Sequence, residues 1–113
     1  MSAIDDEICD FFNKKATLDW ELRDAMNWIT EYESFRYEYP DWINKDGIHM
    51  KIYDITDSHL TNLIAFVSRK DNENKTHWID VFEQERKYRI LKKRISEIKA
   101  ELDKMEEVID KCF

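Results

Sequence analysis

Apart from Pro40 and Gly47, the 113-residue chain contains no residue that disfavours a helix strongly, and after Gly47 neither type recurs. Glycine costs backbone entropy and proline removes a hydrogen bond, so their scarcity predicts long helices and few tight turns. The clearest case runs from Trp78 to Cys112. There Val81, Tyr88, Leu91, Ile95, Ile98, Leu102, Met105, Ile109 and Cys112 keep a heptad seam, with Gln84 as its polar member. At about 1.5 Å per residue such a helix is about 50 Å long. A globule of this mass is narrower than that, so the distal half of the seam needs a cover. The cover can be the N-terminal helix, another copy of the chain, or both. Both are expected here, giving a homo-oligomer, a dimer or a higher form such as a hexamer, joined through Leu91, Ile95, Ile98, Leu102, Met105 and Ile109.

The N-terminal region has a similar period. Ser2 suits an N-cap, and Asp5, Asp6 and Glu7 fall where the helix dipole favours anions. Ile4, Ile8, Phe11, Leu18, Leu22, Ala25, Ile29 and Tyr32 follow steps of three and four, interrupted by Lys15. Two readings fit: one helix to about Phe35, or two helices broken near "NKKAT" with Thr17 capping the second. The broken version is preferred, and Pro40 stops the helix. Next, "WIN" and "IHMKIYDI" flank "KDG", where Gly47 supplies the positive φ of a three-residue hairpin loop. Ile48, Met50 and Ile52 alternate with His49, Lys51 and Tyr53 as in a strand with one buried face. Thr56 then caps a short helix whose buried stripe is Leu60, Leu63, Ile64 and Val67, with Arg69 and Lys70 at its C-terminal end. The expected architecture is a single domain, 1–113, mainly α with one short β-hairpin (α+β). Its parts are a helical region 1–39, a hairpin 42–55, a helix 57–70 and a long helix 77–113.

The opening residues lack the basic and apolar regions of a signal peptide, and no apolar run reaches the ~18 residues of a membrane span. A cytoplasmic protein with no membrane partner is therefore expected, and isolated Cys9 and Cys112 read as buried reduced thiols. Catalytic chemistry finds little support. One glycine excludes a phosphate loop of the Walker type, and His49, His59 and His77 do not fall at metal-ligand spacing. No carboxylate pair stands out among so many. The reading is a non-enzyme with neither cofactor nor metal.

Charge is more informative. From Arg86 to Arg94 six of nine residues are basic, while the rest of the chain holds 12 basic against 25 acidic residues, a balance of −13. Two readings compete. Glu83 with Lys87 and Glu85 with Arg89 are helical i,i+4 pairs, and cations beside a seam can pair with the acidic N-terminal helix or across subunits. Alternatively Arg86 and Arg89 hold a phosphate, with Phe82, Tyr88 and Trp78 near enough to stack on a base. An extended nucleic acid fits poorly, because it needs a broad positive face; a small anionic nucleotide needs only a local cluster. His59 and Asn62 also divide two ways, as hydrogen-bond partners of the hairpin backbone or as a pocket rim beside Trp42.

The stretch from Trp42 to Arg69, "WINKDG" followed by "YDITDSHLTNLIAFVSRK", resembles a pattern found in small phage-encoded proteins. That pattern is Trp, an Asp-Gly turn, a strand, Asp-Met, then His-Leu-x-Asn-x-Ile on a helix. Trp42, Gly47, Asp54, His59, Leu60, Asn62 and Ile64 match it, and Ile55 stands where Met is usual. In overall plan the chain also looks like the Thoeris anti-defence proteins, oligomeric sponges that sequester cyclic ADP-ribose-type signals. That resemblance implies a host-cytoplasmic sponge in which Phe82, Tyr88 and Trp42 sandwich adenine. Arg86, Arg89 and Arg69 would neutralise the pyrophosphate, and Asn62 or His59 would bond a ribose or base edge. The alternatives are an acidic inhibitor that mimics DNA towards a defence nuclease, and a helical assembly subunit.

Overall fold

The structure is a computed structural model and describes residues 3–71 and 73–112, with side chains from Asp6 onward. The expectations placed on Ser2, Ile4 and Asp5 lie outside those described side chains. Helix α1 spans Ala3–Arg36, strands β1 (Trp42–Ile43) and β2 (His49–Met50) form an antiparallel hairpin, a 3-10 turn covers Ile52–Asp54, and helices α2 (Asp57–Ser68) and α3 (Lys75–Cys112) complete the order. The protein is mainly α with one short hairpin, and it ends in a long helix.

Helix α1 is continuous, which corrects the broken-helix expectation. Lys15, the interruption in the apolar series, is satisfied without leaving the helix: its Nζ lies 3.1 Å from Asp19 and 3.4 Å from Glu106. Thr17 does not cap a second helix, because its hydroxyl donates to the Asn13 carbonyl at 3.0 Å within the same one. The helix ends at Arg36, four residues short of Pro40, and the Glu38 N–H closes a turn on the Phe35 carbonyl.

In the hairpin Trp42 pairs with Met50 and Ile43 with His49. The Asn44 side chain accepts from the N–H groups of Asp46 and Ile48, both at 2.9 Å, and Gly47 takes φ 78°. An amide side chain and a glycine thus shape the loop together. The strand is shorter than its alternation suggests. Ile48 is exposed, and at Lys51 the chain leaves the sheet for the 3-10 turn, which drops Ile52 and Ile55 into the core. Thr56 caps α2 by accepting from the His59 N–H, so Leu60, Leu63 and Val67 face inward.

Two compact units divide the chain, and α1 and α3 contribute to both. In residues 29–90, Ile52, Ile55, Leu60, Leu63, Val67, Val81 and Phe82 form one core, with Trp42 and Trp78 packed against it. In residues 1–28 with 91–113, the core is Leu18, Ile98 and Met105, flanked by Phe11, Leu22 and Leu102. The two helical stretches of that unit are joined by Lys14–Glu101 at 2.8 Å and Glu21–Arg94 at 2.7 Å. The α3 seam departs from its heptad reading at two points. Gln84 is exposed and Glu85 is the buried polar member; Cys112, like Cys9, is an exposed free thiol rather than a buried one. Among the described residues no helix is long and apolar enough to cross a membrane.

Candidate functional site

Helix α3 carries the basic block into two different settings. Arg89 is tied down on three sides: Nε lies 2.8 Å from Glu85, Nη1 lies 2.8 Å from Asp57, and Nη2 donates to the Ile52 carbonyl at 3.4 Å. Arg94 forms a two-point pair with Glu21, at 2.7 and 3.1 Å. Arg86 stays half exposed, with Glu83 at 4.0 Å. The Glu85–Arg89 pair expected from i,i+4 spacing is present, and the cation–acid pairing with α1 occurs within one chain.

Glu85 is the centre of this arrangement and is fully buried. Its carboxylate accepts from the Tyr32 hydroxyl at 2.9 Å, from Arg36 through Nε and Nη2 at 2.8 Å each, and from Arg89. The Arg36 guanidinium lies over the Tyr88 ring, 4.3 Å from its centroid, and Tyr88 donates to Glu33 at 2.7 Å. Burial opposes the charge on Arg36 most strongly, but the Glu85 hydrogen bonds and the Glu85 charge together outweigh it and hold the group charged well beyond its ordinary range. Burial first, and the Glu85 charge second, push the Tyr32 phenol far above its usual value. Two cations face two anions, Glu85 and Asp57, so the cluster is internally neutral. It fastens α1, α3 and the start of α2 together. Its long-range members, Tyr32 and Arg36, carry no spacing signal that would have exposed them in the sequence.

The opening to solvent lies on the other side of α2. Trp42, Asn44, Lys45, Asp46, His59, Leu63 and Phe66 line a cleft of about 260 Å³ between the hairpin and α2. Thr56 sets the helix phase and the Asn44 turn sets the loop, so both walls are fixed by local hydrogen bonds. Beneath the cleft Trp42 meets Trp78 edge-on at 5.0 Å and Phe82 at 5.3 Å, while Trp78 and Phe82 stack at 5.6 Å.

Of the residues singled out in the sequence, Trp42 and His59 come together at this cleft. Phe82 and Tyr88 do not reach solvent: at 0% and 3% exposure they are core side chains, so neither ring face is open for stacking on a base. Arg89 is committed to Glu85 and Asp57. Asn62 and Arg69 are exposed on and just beyond α2 but do not line the cleft, and Arg86 is exposed on α3. Asn44, Lys45 and Phe66 were missed. Phe66 was accessible to sequence reasoning, since His59, Leu63 and Phe66 follow i, i+4, i+7 on one helix face. No protein-family model matches the chain, and comparison with curated proteins and with solved structures returns no match.

Proposed function

We propose that the protein is a non-catalytic binding protein that captures a small aromatic anion of nucleotide type in the cleft between the hairpin and α2. The supporting observation is the lining itself: Trp42 and Phe66 bring aromatic rings, His59 an imidazole and Lys45 a cation. A flat base gains stacking energy from such rings, and a phosphate gains a charged hydrogen bond from the lysine. Asp46 sits in the same lining, so the aromatic contacts supply most of the affinity. A cleft of about 260 Å³ takes a base with its sugar, and the phosphates lie at the mouth. With the resemblance to anti-defence sponges, the physiological ligand of this reading is a cyclic ADP-ribose-type signal, held in the host cytoplasm without turnover. Tight binding with slow release is all that role demands.

The test uses Phe66→Ala and Lys45→Glu, because both residues are exposed and their loss spares the core. The intact protein is mixed with an extract rich in TIR-derived signals, repurified and heated, and the released nucleotides are identified by mass spectrometry. Recovery of an intact cyclic nucleotide, lost in both variants while far-UV circular dichroism is unchanged, is the expected result. No released nucleotide from the folded wild type would overturn it. A second reading, an acidic inhibitor of a basic defence protein, draws on the commitment of Arg89 and Arg94 to ion pairs within the chain, which neutralises two of the block's cations. Nuclease inhibition that persists in Phe66→Ala would favour it.

A further inference from the structure

We infer that residues 1–28 and 91–113 dock against the same residues of a second copy, with α3 antiparallel to the partner's α3 and α1 antiparallel to the partner's α1. This inference stands apart from the ligand reading, because none of its residues lines the cleft. Four observations within this unit support it.

The first is incomplete burial. Two antiparallel helical stretches bury Leu18, Ala25, Ile98 and Met105, yet Leu91, Ile95, Leu102 and Ile109 are only half covered, as are Ile8 and Leu22 on α1. On a helix of 3.6 residues per turn, Ile95, Leu102 and Ile109 fall to one side of Ile98. Leu22 falls on the same flank of α1, because Lys15 and Glu106, which flank that side of their helices, pair with each other. One flank of the helical pair therefore carries a partly covered apolar strip, crossed by the Lys15–Glu106 ion pair.

The second is charge along that strip. On α3 the exposed charges beside it are Lys92 and Lys99 towards the N-terminal end, and Asp103, Glu106 (paired with Lys15 of the same chain) and Asp110 towards the C-terminal end. A helix with a basic end and an acidic end complements itself only when a copy runs the opposite way. An antiparallel pairing centred near Leu102 sets Lys99 against the partner's Asp103 and Lys92 against the partner's Asp110. Within about two residues of that register, roughly 3 Å along the helix, Ile95 lies near the partner's Ile109 and Leu102 near its own copy.

The third is a check from the other helix. The ion pairs Lys14–Glu101, Lys15–Glu106 and Glu21–Arg94 place α1 opposite α3, so a two-fold axis near Leu102 crosses α1 near Thr17. Around Thr17 the flank residues of α1 match in the same way. Ile8 meets the partner's Met26, and Phe12 meets the partner's Leu22. A depression of about 400 Å³ lined by Asp19, Leu22, Arg23, Met26 and Asn27 is placed to receive the partner's Ile8 and Phe12.

The fourth is size. About 22 residues per helix make a face ~33 Å long, and two helices packed ~10 Å apart make it about 20 Å wide. That is roughly 650 Å² per copy and about 1,300 Å² in all, within the range of stable interfaces.

Sedimentation equilibrium of the full chain tests the inference. The wild type is expected to be a dimer, and Lys99→Glu and Asp103→Lys should each raise its dissociation constant about tenfold or more by setting like charges opposite each other. Both residues are exposed, so circular dichroism should be unchanged. Mixing the two variants in equal amounts should restore association near the wild-type level, because each then faces an opposite charge. A merely intrahelical role for Lys99 and Asp103 predicts no rescue on mixing. A wild type that stays monomeric at about 100 μM, or a dimer indifferent to both substitutions, or failure of the mixed variants to associate, would overturn the inference.

Discussion

Residues 29–90 and residues 1–28 with 91–113 use the same two long helices but bury very different amounts. Among the described residues, ten of the fourteen buried apolar side chains lie in the first unit and four in the second. The hairpin, 3-10 turn and α2 give the first unit a further wall, and its aromatic rings and one buried carboxylate fill the space. The second unit has only one seam between two helical stretches. An amphipathic helix gains stability from what covers its apolar stripe. The same heptad thus closes a core where a third layer meets it and leaves a half-covered strip where none does.

The largest effect should come from breaking the first unit at its charge. Glu85→Ala leaves Arg36 and Arg89 facing each other with no carboxylate between them, and the loss should be about 3–5 kcal/mol in urea unfolding. A loss below ~1 kcal/mol would mean that water or Asp57 replaces the carboxylate, and the first unit would be held by its apolar packing alone.

Apolar truncations should sharpen the contrast. Leu60 is 1% exposed, and Leu60→Ala should cost about 2–5 kcal/mol at any protein concentration. Leu102 is only partly covered within one chain, so Leu102→Ala should cost less than Leu60→Ala in dilute protein. If a second copy covers the strip, that cost should rise towards the Leu60 value as concentration increases. A cost that is the same at every concentration would mean the strip remains open.

How much of this was legible in the sequence follows from range. The hairpin turn, the Thr56 cap and the stripe of α2 are local, and Gly47, Thr56 and Leu60 announce them. The Trp42–His59 side of the cleft was legible because the same run of sequence that marks a resemblance also forms its walls. Glu85 was not: a strict heptad selects Gln84, and a step of one residue rotates the side chain by about 100° on a helix of 3.6 residues per turn. Its partner Arg36 lies 49 residues away, beyond any periodicity. Phe82 and Tyr88 beside cations look alike whether they stack on a ligand or fill a core. Only tertiary burial separates the two cases.

A smaller effect separates the phenol of Tyr32 from its ring. Tyr32→Phe keeps the packing but removes the hydrogen bond to Glu85, for a loss of about 1–2 kcal/mol near neutral pH. Because burial and then Glu85 raise the folded pKa, the unfolded chain ionises this phenol first, near pH 10, while the folded chain does not. The contribution is complete below that pH and is lost as pH rises above it. The alkaline decline in stability should therefore be shallower in Tyr32→Phe than in the wild type. An unchanged alkaline limb would place that decline elsewhere, with Tyr39, which burial raises in the same direction, the next group to replace.

The smallest effect belongs to the second unit and has the opposite sign in pH. A hydrogen bond from Arg94 holds Glu21 below the ordinary carboxylate range, and Lys14 does the same for Glu101. A lowered carboxylate stabilises the fold above its unfolded pKa, and that contribution disappears as pH falls through the folded value. Glu21→Gln should therefore barely alter thermal stability at pH 7, since the pair is solvent-exposed and screened. It should, however, make the acid decline below about pH 4 shallower. High salt should shrink the difference between variant and wild type, whereas the Glu85→Ala loss should persist in salt because its charges are buried. If salt erased both effects equally, the two units would not differ in the way their ion pairs are shielded. The contrast between them would then rest on apolar burial alone.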